Sequence, residues 1–413
     1  MTPNSRTLIH DWNPASAAST REGRPVTFDD ESLRDGLQSP SVSDPAPGHK
    51  IRLLHLMAEI GIAAADLGLP GAGPRAAAGV EELLREIERS RLPIAPNCAA
   101  RTTDEDLVPI LEIMARVGRP LEVMLFVGSS PIRRHVEEWS LDDLLRRSER
   151  CIALAVRHGA PVTFVTEDTT RSQPDDLRRL YQAAVRAGAS RVCLADTAGF
   201  ATPAGAARLV GFVAQALADC GSGHVGIDWH GHNDRGLALA NALAAAEAGA
   251  DRLHATVLGI GERVGNPPME QLLVNARLLG WASPDLGRIM EYVACASQIL
   301  GIEVPPGAPI VGRDAFRTST GVHAAAIVKA KAMGRTDLAD LVYSAIPAAW
   351  LHRQQEIDVG PMSGASNVRH WLVVHSYPLD AAVVERIYAA AKQADRTLTD
   401  GELHGLASGD MPT

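Results

Sequence analysis

Short apolar and β-branched runs recur along the chain, and each is followed by a longer stretch whose apolar residues return every three or four positions. The runs occupy residues 26–30, 64–69, 94–99, 121–127, 162–167, 191–196, 225–230 and 253–260. Their ends lie about 30 to 40 residues apart, the length of a strand, a turn and a helix of 10 to 15 residues. Segments 80–87 and 141–155 carry the three-and-four spacing of outer helices with one buried face. Eight such units predict an α/β fold, a (β/α)8 TIM barrel. An open doubly wound sheet competes, but about six strands suffice for it, and no Gly-x-Gly-x-x-Gly follows the first run.

Beyond residue 280 the alternation stops. Residues 286–300 read as a helix and 304–310 as a Pro-rich linker. Helical segments follow near 321–333, 337–344 and 363–374, then an amphipathic helix over 378–393 and a polar tail. The expected organisation is an N-terminal arm (1–24), a catalytic barrel (25–285), a helix and linker (286–310) and a small α-rich C-terminal appendage (311–413).

Composition narrows the partners. The 413 residues are 46% hydrophobic and 22% charged, and Lys+Arg 40 against Asp+Glu 49 leaves a net charge of -9. A soluble globular protein with no nucleic-acid partner is expected. The five cysteines show no Cys-x-x-Cys spacing, which fits a reduced compartment. The first 25 residues lack the apolar stretch of a signal peptide or membrane span, so a cytoplasmic protein without membrane attachment is expected.

The candidate chemistry centres on Gly226-Ile-Asp-Trp-His-Gly-His-Asn233. Side chains alternate along a strand, so His230 and His232 share a face with Asp228 beneath them. Two imidazoles are half a site for a zinc, manganese or iron-type ion and need a carboxylate from elsewhere. The plainer alternative is a pair of strand-end histidines bonded to neighbours. In a barrel the C-terminal strand ends carry function, and polar residues gather there. Asp30-Glu-Ser-Leu-Arg-Asp-Gly-Leu-Gln38 offers Asp35 as the carboxylate, Arg34 as a cation beside it, and Gln38. The fifth run ends in Thr166-Glu167-Asp-Thr-Thr-Arg171, the sixth in Asp196-Thr197 and the eighth in Gly261-Glu262-Arg263-Val-Gly-Asn266. Any one of these alone is compatible with a helix cap; one shared rim is harder to explain that way.

These segments resemble the metal-dependent acyl-CoA/2-oxoacid condensing enzymes, the family of 2-isopropylmalate, homocitrate and citramalate synthases, with 3-hydroxy-3-methylglutaryl-CoA lyase as a relative. Leu33-Arg-Asp-Gly-x-Gln38, His230-Gly-His-Asn-Asp234, Gly261-Glu-Arg-x-Gly-Asn266, Gly321-Val-His323 and Ser363-Gly-x-Ser-Asn367 stand in the family's order. The resemblance implies a divalent metal (Zn, Mn or Mg) held by Asp35, His230 and His232, with Asn266 close by or ligating. It implies acetyl-CoA, or another acyl-CoA, and a 2-oxoacid as substrates. Arg34 would face the ketone oxyanion and Thr197 the carboxylate, with Glu167 among the catalytic rim residues. Gln38, Arg171, Glu262 and Arg263 would complete the substrate rim. A base relay of Asp66, His323 and Tyr343 is also implied, as is a homodimer in which the C-terminal appendage covers the partner's active site.

Some positions depart from the pattern. Asp66 stands where the family usually has Glu, and Arg133 where isopropylmalate synthases often have His. Thr163 stands where homocitrate synthases tend to carry an Arg for a distal carboxylate. A 2-isopropylmalate synthase-like reaction on a branched or short 2-oxoacid is therefore expected, with a homocitrate or citramalate synthase as the near alternative. A carbon-carbon lyase is disfavoured because loop 259–266 lacks the lyase's cysteine. A non-catalytic acyl-CoA or metal-binding barrel is the remaining possibility.

Overall fold

A parallel sheet of eight strands closes on itself in sequence order: β1 (Thr27–Asp30), β2 (Ala64–Asp66), β3 (Ala95–Arg101), β4 (Glu122–Gly128), β5 (Val162–Glu167), β6 (Arg191–Asp196), β7 (Gly226–Gly231) and β8 (Arg252–Ala255). The ring is completed where β8 pairs β1, with Thr27 opposite Arg252 and Asp29 opposite His254. This computed structural model describes residues 8–10, 12–13, 25–221 and 223–409, so the arm expected over 1–24 lies almost wholly outside the described residues. The strands are short apolar runs because parallel strands are covered on both faces. In β4, Val123, Met124, Leu125 and Val127 are all buried.

The barrel's outer helices are α1 (Pro47–Ile60), α2 (Pro74–Ser90), α3 (Asp104–Val117), α4 (Pro131–Glu137), α5 (Leu141–Arg157), α6 (Pro174–Arg186), α7 (Pro203–Ala218), α8 (Ala238–Glu247), α9 (Met269–Leu278) and α10 (Ile289–Leu300). Helix α2 buries Val80, Leu83, Leu84 and Ile87, a stripe at three-and-four spacing against the sheet. Helix α5 starts at a capping box, in which Ser140 accepts from the Asp143 amide and Asp143 accepts from the Ser140 amide. Helix α10 packs on α1 and belongs to the barrel unit, which runs to Glu303.

From Val304 the chain forms a second unit. It contains β9 (Arg317–Thr318) paired in parallel with β10 (Glu356–Ile357), and helices α11 (Gly321–Ala332), α12 (Thr336–Leu341), α13 (Ala365–Val374), α14 (Ala381–Gln393) and α15 (Asp400–Ser408). One small core gathers Val368, Trp371, Leu372, Ile387 and Leu403, and another gathers Ala324, Ile327 and Ala339.

Two local expectations change. The eighth run, expected as strand to residue 260, leaves the sheet at Ala255. Beyond it the segment Val257–Gly259 turns, with Leu258 at φ 55. The loop folds back so tightly that a Cβ on Gly265 would lie 1.8 Å from the Gly259 carbonyl oxygen, and glycine's lack of one permits the turn. The polar tail holds α15, opened by a Thr399–Glu402 capping box.

Candidate metal centre and cavity

Strand β7 directs Asp228 and His230 into the barrel and turns Trp229, fully buried, toward the outer layer. His232 follows just past the strand end. Asp35 sits in the turn after β1, where Glu31 accepts backbone bonds from Arg34 and Gly36 and holds the loop in place. The result is a buried cluster: His230 Nε2 lies 3.2 Å from His232 Nε2, and Asp35 Oδ2 lies 3.5 and 3.8 Å from those two nitrogens. These ligand atoms all lie within 4.8 Å of one another. Asn266 donates from Nδ2 to Asp35 Oδ1 at 3.0 Å, while its Oδ1 is buried without a partner, as is His232 Nδ1.

The donor set fits a divalent cation. Burial, and next the neighbouring His230, push the His232 imidazole down to about 4, so the ring is neutral and its lone pair is available. Asp35 is held below the ordinary carboxylate range; burial works against this, but Arg34 and the two histidines outweigh it. Two imidazole nitrogens and a carboxylate oxygen facing one volume leave lone pairs opposed unless a cation or protons separate them.

Around the cluster is a cavity of about 260 Å3 at the C-terminal ends of the strands. Its polar side holds Glu31, Arg34, Asp35, Gln38, Asp66, His230, His232, His254, Glu262 and Arg263. Leu69, Ala99, Met124, Phe126, Val165, Cys193 and Ala195 supply apolar lining, and Glu167 and Thr197 also border the space. Arg34 donates to Asp66 (2.7 Å), Asp35 (3.1 Å) and Glu31 (2.5 Å). A guanidinium has five N–H groups, so two remain for a ligand. Burial raises Asp66 to about 7, with Arg34 pulling the other way. Burial likewise raises Glu167. Thr197 Oγ1 accepts from the Asp168 amide at 2.9 Å, and Arg263 is tied to Asp234.

Other expected residues lie elsewhere. Thr163, expected at the substrate, is fully buried one layer below the cavity and bonds Glu122; the β5 residues that reach the cavity are Val165 and Glu167. Arg133 pairs with Glu137 at 3.0 Å and Arg171 with Asp168 at 2.7 Å, both beside a neighbouring surface pocket. His323 and Tyr343 belong to the second unit, where their rings stack at 3.9 Å. Two polar cavity residues escaped the sequence reading, Glu31 and His254. His254 donates from Nδ1 to Glu31 at 2.6 Å and lies 3.3 Å through Nε2 from Asp228. Burial opposes its charge, but Glu31 and Asp228 overcome that and push it up to about 10. An imidazole two positions after Arg252, on the same face of β8, was the available signal for it.

Comparison with known proteins converges on one family. Residues 25–294 match the model of the HMGL-like family. The chain is 35% identical over 308 residues to a probable 2-isopropylmalate synthase of Methanopyrus kandleri, covering 74% of this chain but 58% of that protein. It is 33% identical to homocitrate synthase AksA of the same organism, over 73% of this chain and 72% of the other. An HMG-CoA lyase from "Acenitobacter baumannii", solved with coenzyme A and 3-methylmalate, shares the fold at TM-score 0.56 and 22% identity, over 68% of this chain and 93% of its own.

Proposed function

The chain belongs to the HMGL-like family, and on that premise we propose that it catalyses a Claisen condensation of acetyl-CoA, or another acyl-CoA, with a 2-oxoacid. The observation that carries the reading is the cluster of Asp35, His230 and His232 beside Arg34, with apolar side chains lining the same cavity. A divalent ion held by those three residues, with Asn266 adjacent, would supply Lewis acidity toward a 2-oxoacid's ketone and carboxylate. The two spare N–H groups of Arg34 would bind the ketone oxygen as negative charge grows on it. Thr197 would orient the carboxylate. Asp66, raised to about 7 and bordering the cavity, is suited to take a proton from the acyl methyl at neutral pH. The resulting carbon forms its bond to the ketone carbon, and water then cleaves the thioester to release CoA and a 2-alkylmalate-type acid.

Leu69, Met124, Phe126 and Val165 in the cavity lining, with Thr163 below them, favour an apolar side chain on the oxoacid. A distal carboxylate there would be desolvated without a cation. We therefore place a 2-isopropylmalate synthase-like reaction first and homocitrate synthesis second. The stacked His323 and Tyr343 would complete the proton relay on the partner's cavity in a homodimer. The test is CoA release from acetyl-CoA across pyruvate, 2-oxoisovalerate and 2-oxoglutarate, with and without chelator. Chelator-sensitive release fastest with 2-oxoisovalerate is expected. Release fastest with 2-oxoglutarate would overturn the side-chain preference, and none with any oxoacid the condensation itself.

A further inference from the structure

Resting on the metal-site reading above, we propose that Glu31 is a positioning residue, which, braced by His254, fixes His230 in the ring orientation and tautomer that present its Nε2 to the ion. Glu31 is almost fully buried, and both of its oxygens are in use. Oε1 accepts from His254 Nδ1 at 2.6 Å, while Oε2 accepts from Arg34 Nη2 at 2.5 Å and lies 3.1 Å from His230 Nδ1. A carboxylate only accepts, so this contact is favourable when His230 carries its proton on Nδ1 and keeps the lone pair on Nε2. Nε2 is the nitrogen that faces His232 and Asp35.

The brace is built from separate strands. Glu31 follows β1 and its amide donates to Ala255 of β8 at 2.9 Å. His254 lies one residue earlier on β8, and its Nε2 is 3.3 Å from Asp228, two residues before His230 on β7. Both ring nitrogens of His254 therefore meet carboxylate oxygens, which only the doubly protonated ring satisfies. Glu31, His230 and His254 also form a three-residue group of metal-binding type. Direct contacts of 2.6 and 3.1 Å between their ligand atoms leave room for protons and none for an ion, so the group serves as support. Such partners of a ligating histidine typically carry 10- to 100-fold in metal affinity.

The experiment titrates metal-free protein with Co2+ and follows its visible absorption, for wild type and Glu31→Gln, alongside thermal unfolding of the metal-free forms. Wild type should bind, and Glu31→Gln, titrated at a temperature where its metal-free form is still folded, should bind about 10- to 100-fold more weakly; its metal-free melting temperature also falls, because Arg34 and His254 lose the carboxylate they share. Equal affinity within twofold overturns the positioning role while leaving the metal site standing; absence of Co2+ binding by wild type overturns the metal site itself. Histidine-labelled metal-free wild type supplies a measurement that needs no folded Glu31 variant. Its long-range 1H–15N spectrum, with His230→Gln for assignment, should show His230 protonated on Nδ1, and protonation on Nε2 would overturn the proposal.

Discussion

The barrel interior holds two polar layers, and they differ in how their charges are closed. In the lower layer, near the N-terminal strand ends, Arg252 donates to Asp228 at 2.8 Å and to both oxygens of Glu122 at 2.6 and 2.9 Å. Arg191 donates to Asp228 at 2.8 Å, and Asn97 to Asp29 at 2.8 Å. Despite burial, Arg252 and Arg191 hold Asp228 well below the usual carboxylate range. In the upper layer Asp35, His230, His232 and Asn266 converge with lone pairs facing one another, and two polar atoms have no partner. The same residue chemistry thus makes a charge-paired plug below, where every carboxylate meets a cation or an amide and Asn97 Oδ1 is left without a partner, and an open ligand set above. Burial alone does not mark a site; carboxylate and imidazole lone pairs that converge on one cavity without a cation between them do.

Breaking the plug should have the largest effect. Arg252→Met leaves Asp228 and Glu122 buried with their main cation gone, and should cost about 3 to 5 kcal/mol in urea unfolding. Asp35→Asn in the upper layer keeps the shape and should stay within about 1 kcal/mol of wild type in metal-free protein, while abolishing metal binding by elemental analysis. An unchanged urea midpoint for Arg252→Met, or an equal loss for Asp35→Asn, would erase the distinction between the layers.

A smaller effect comes from a buried carboxyl that belongs to neither layer. Glu270, in the first turn of α9, accepts from the Leu258 amide at 3.0 Å, and burial pushes its carboxyl up from 4.5 to about 7. Its folded value exceeds its unfolded one, so its contribution to stability is complete below about pH 4.5 and is lost as pH rises through 7. Glu270→Gln keeps an acceptor for Leu258 and removes the titration. The variant should match wild type at pH 4.5 and exceed it at pH 8 by up to roughly 3 kcal/mol. Parallel stability curves for the two proteins across that range would contradict this.

Sequence legibility follows the same division. The barrel could be read because each strand is a local apolar run, and the two histidines because i and i+2 on a strand share a face. Asp35 was found from the sequence as the polar residue of a strand-end loop. The plug was hidden because its pairs join β4 with β8 and β6 with β7, and no local pattern announces which Arg meets which acid. Glu31 and His254 were missed for that reason: 223 residues separate them. Thr163 was placed one layer too high, since a run of inward residues does not reveal where along the barrel axis the cavity begins. The end of β8 was extended to residue 260 because Val257, Leu258 and Ile260 are apolar, while the glycines that turn that segment act through backbone angles. Helix α15 was legible in Thr399-Asp-Gly-Glu402 and was passed over in a polar tail.

The smallest expected effect tests where the upper layer stops. Arg133 follows β4 beside the cavity, and turned inward it would offer a cation to a dicarboxylic oxoacid. Its guanidinium instead pairs with Glu137 one helical turn on and lies 5.7 Å from the centre of the Trp139 ring, with about half of the side chain exposed. The residues β4 sends into the cavity are Met124 and Phe126. An exposed pair of this kind contributes about 1 kcal/mol or less, and screening by solvent weakens its reach across the rim. Arg133→Ala should accordingly leave kcat/KM for 2-oxoisovalerate, and its ratio to that for 2-oxoglutarate, within about twofold of wild type. A tenfold selective loss with 2-oxoglutarate would mean that the side chain swings inward when a dicarboxylate binds, and the apolar boundary drawn at Phe126 and Val165 would have to move outward to include it.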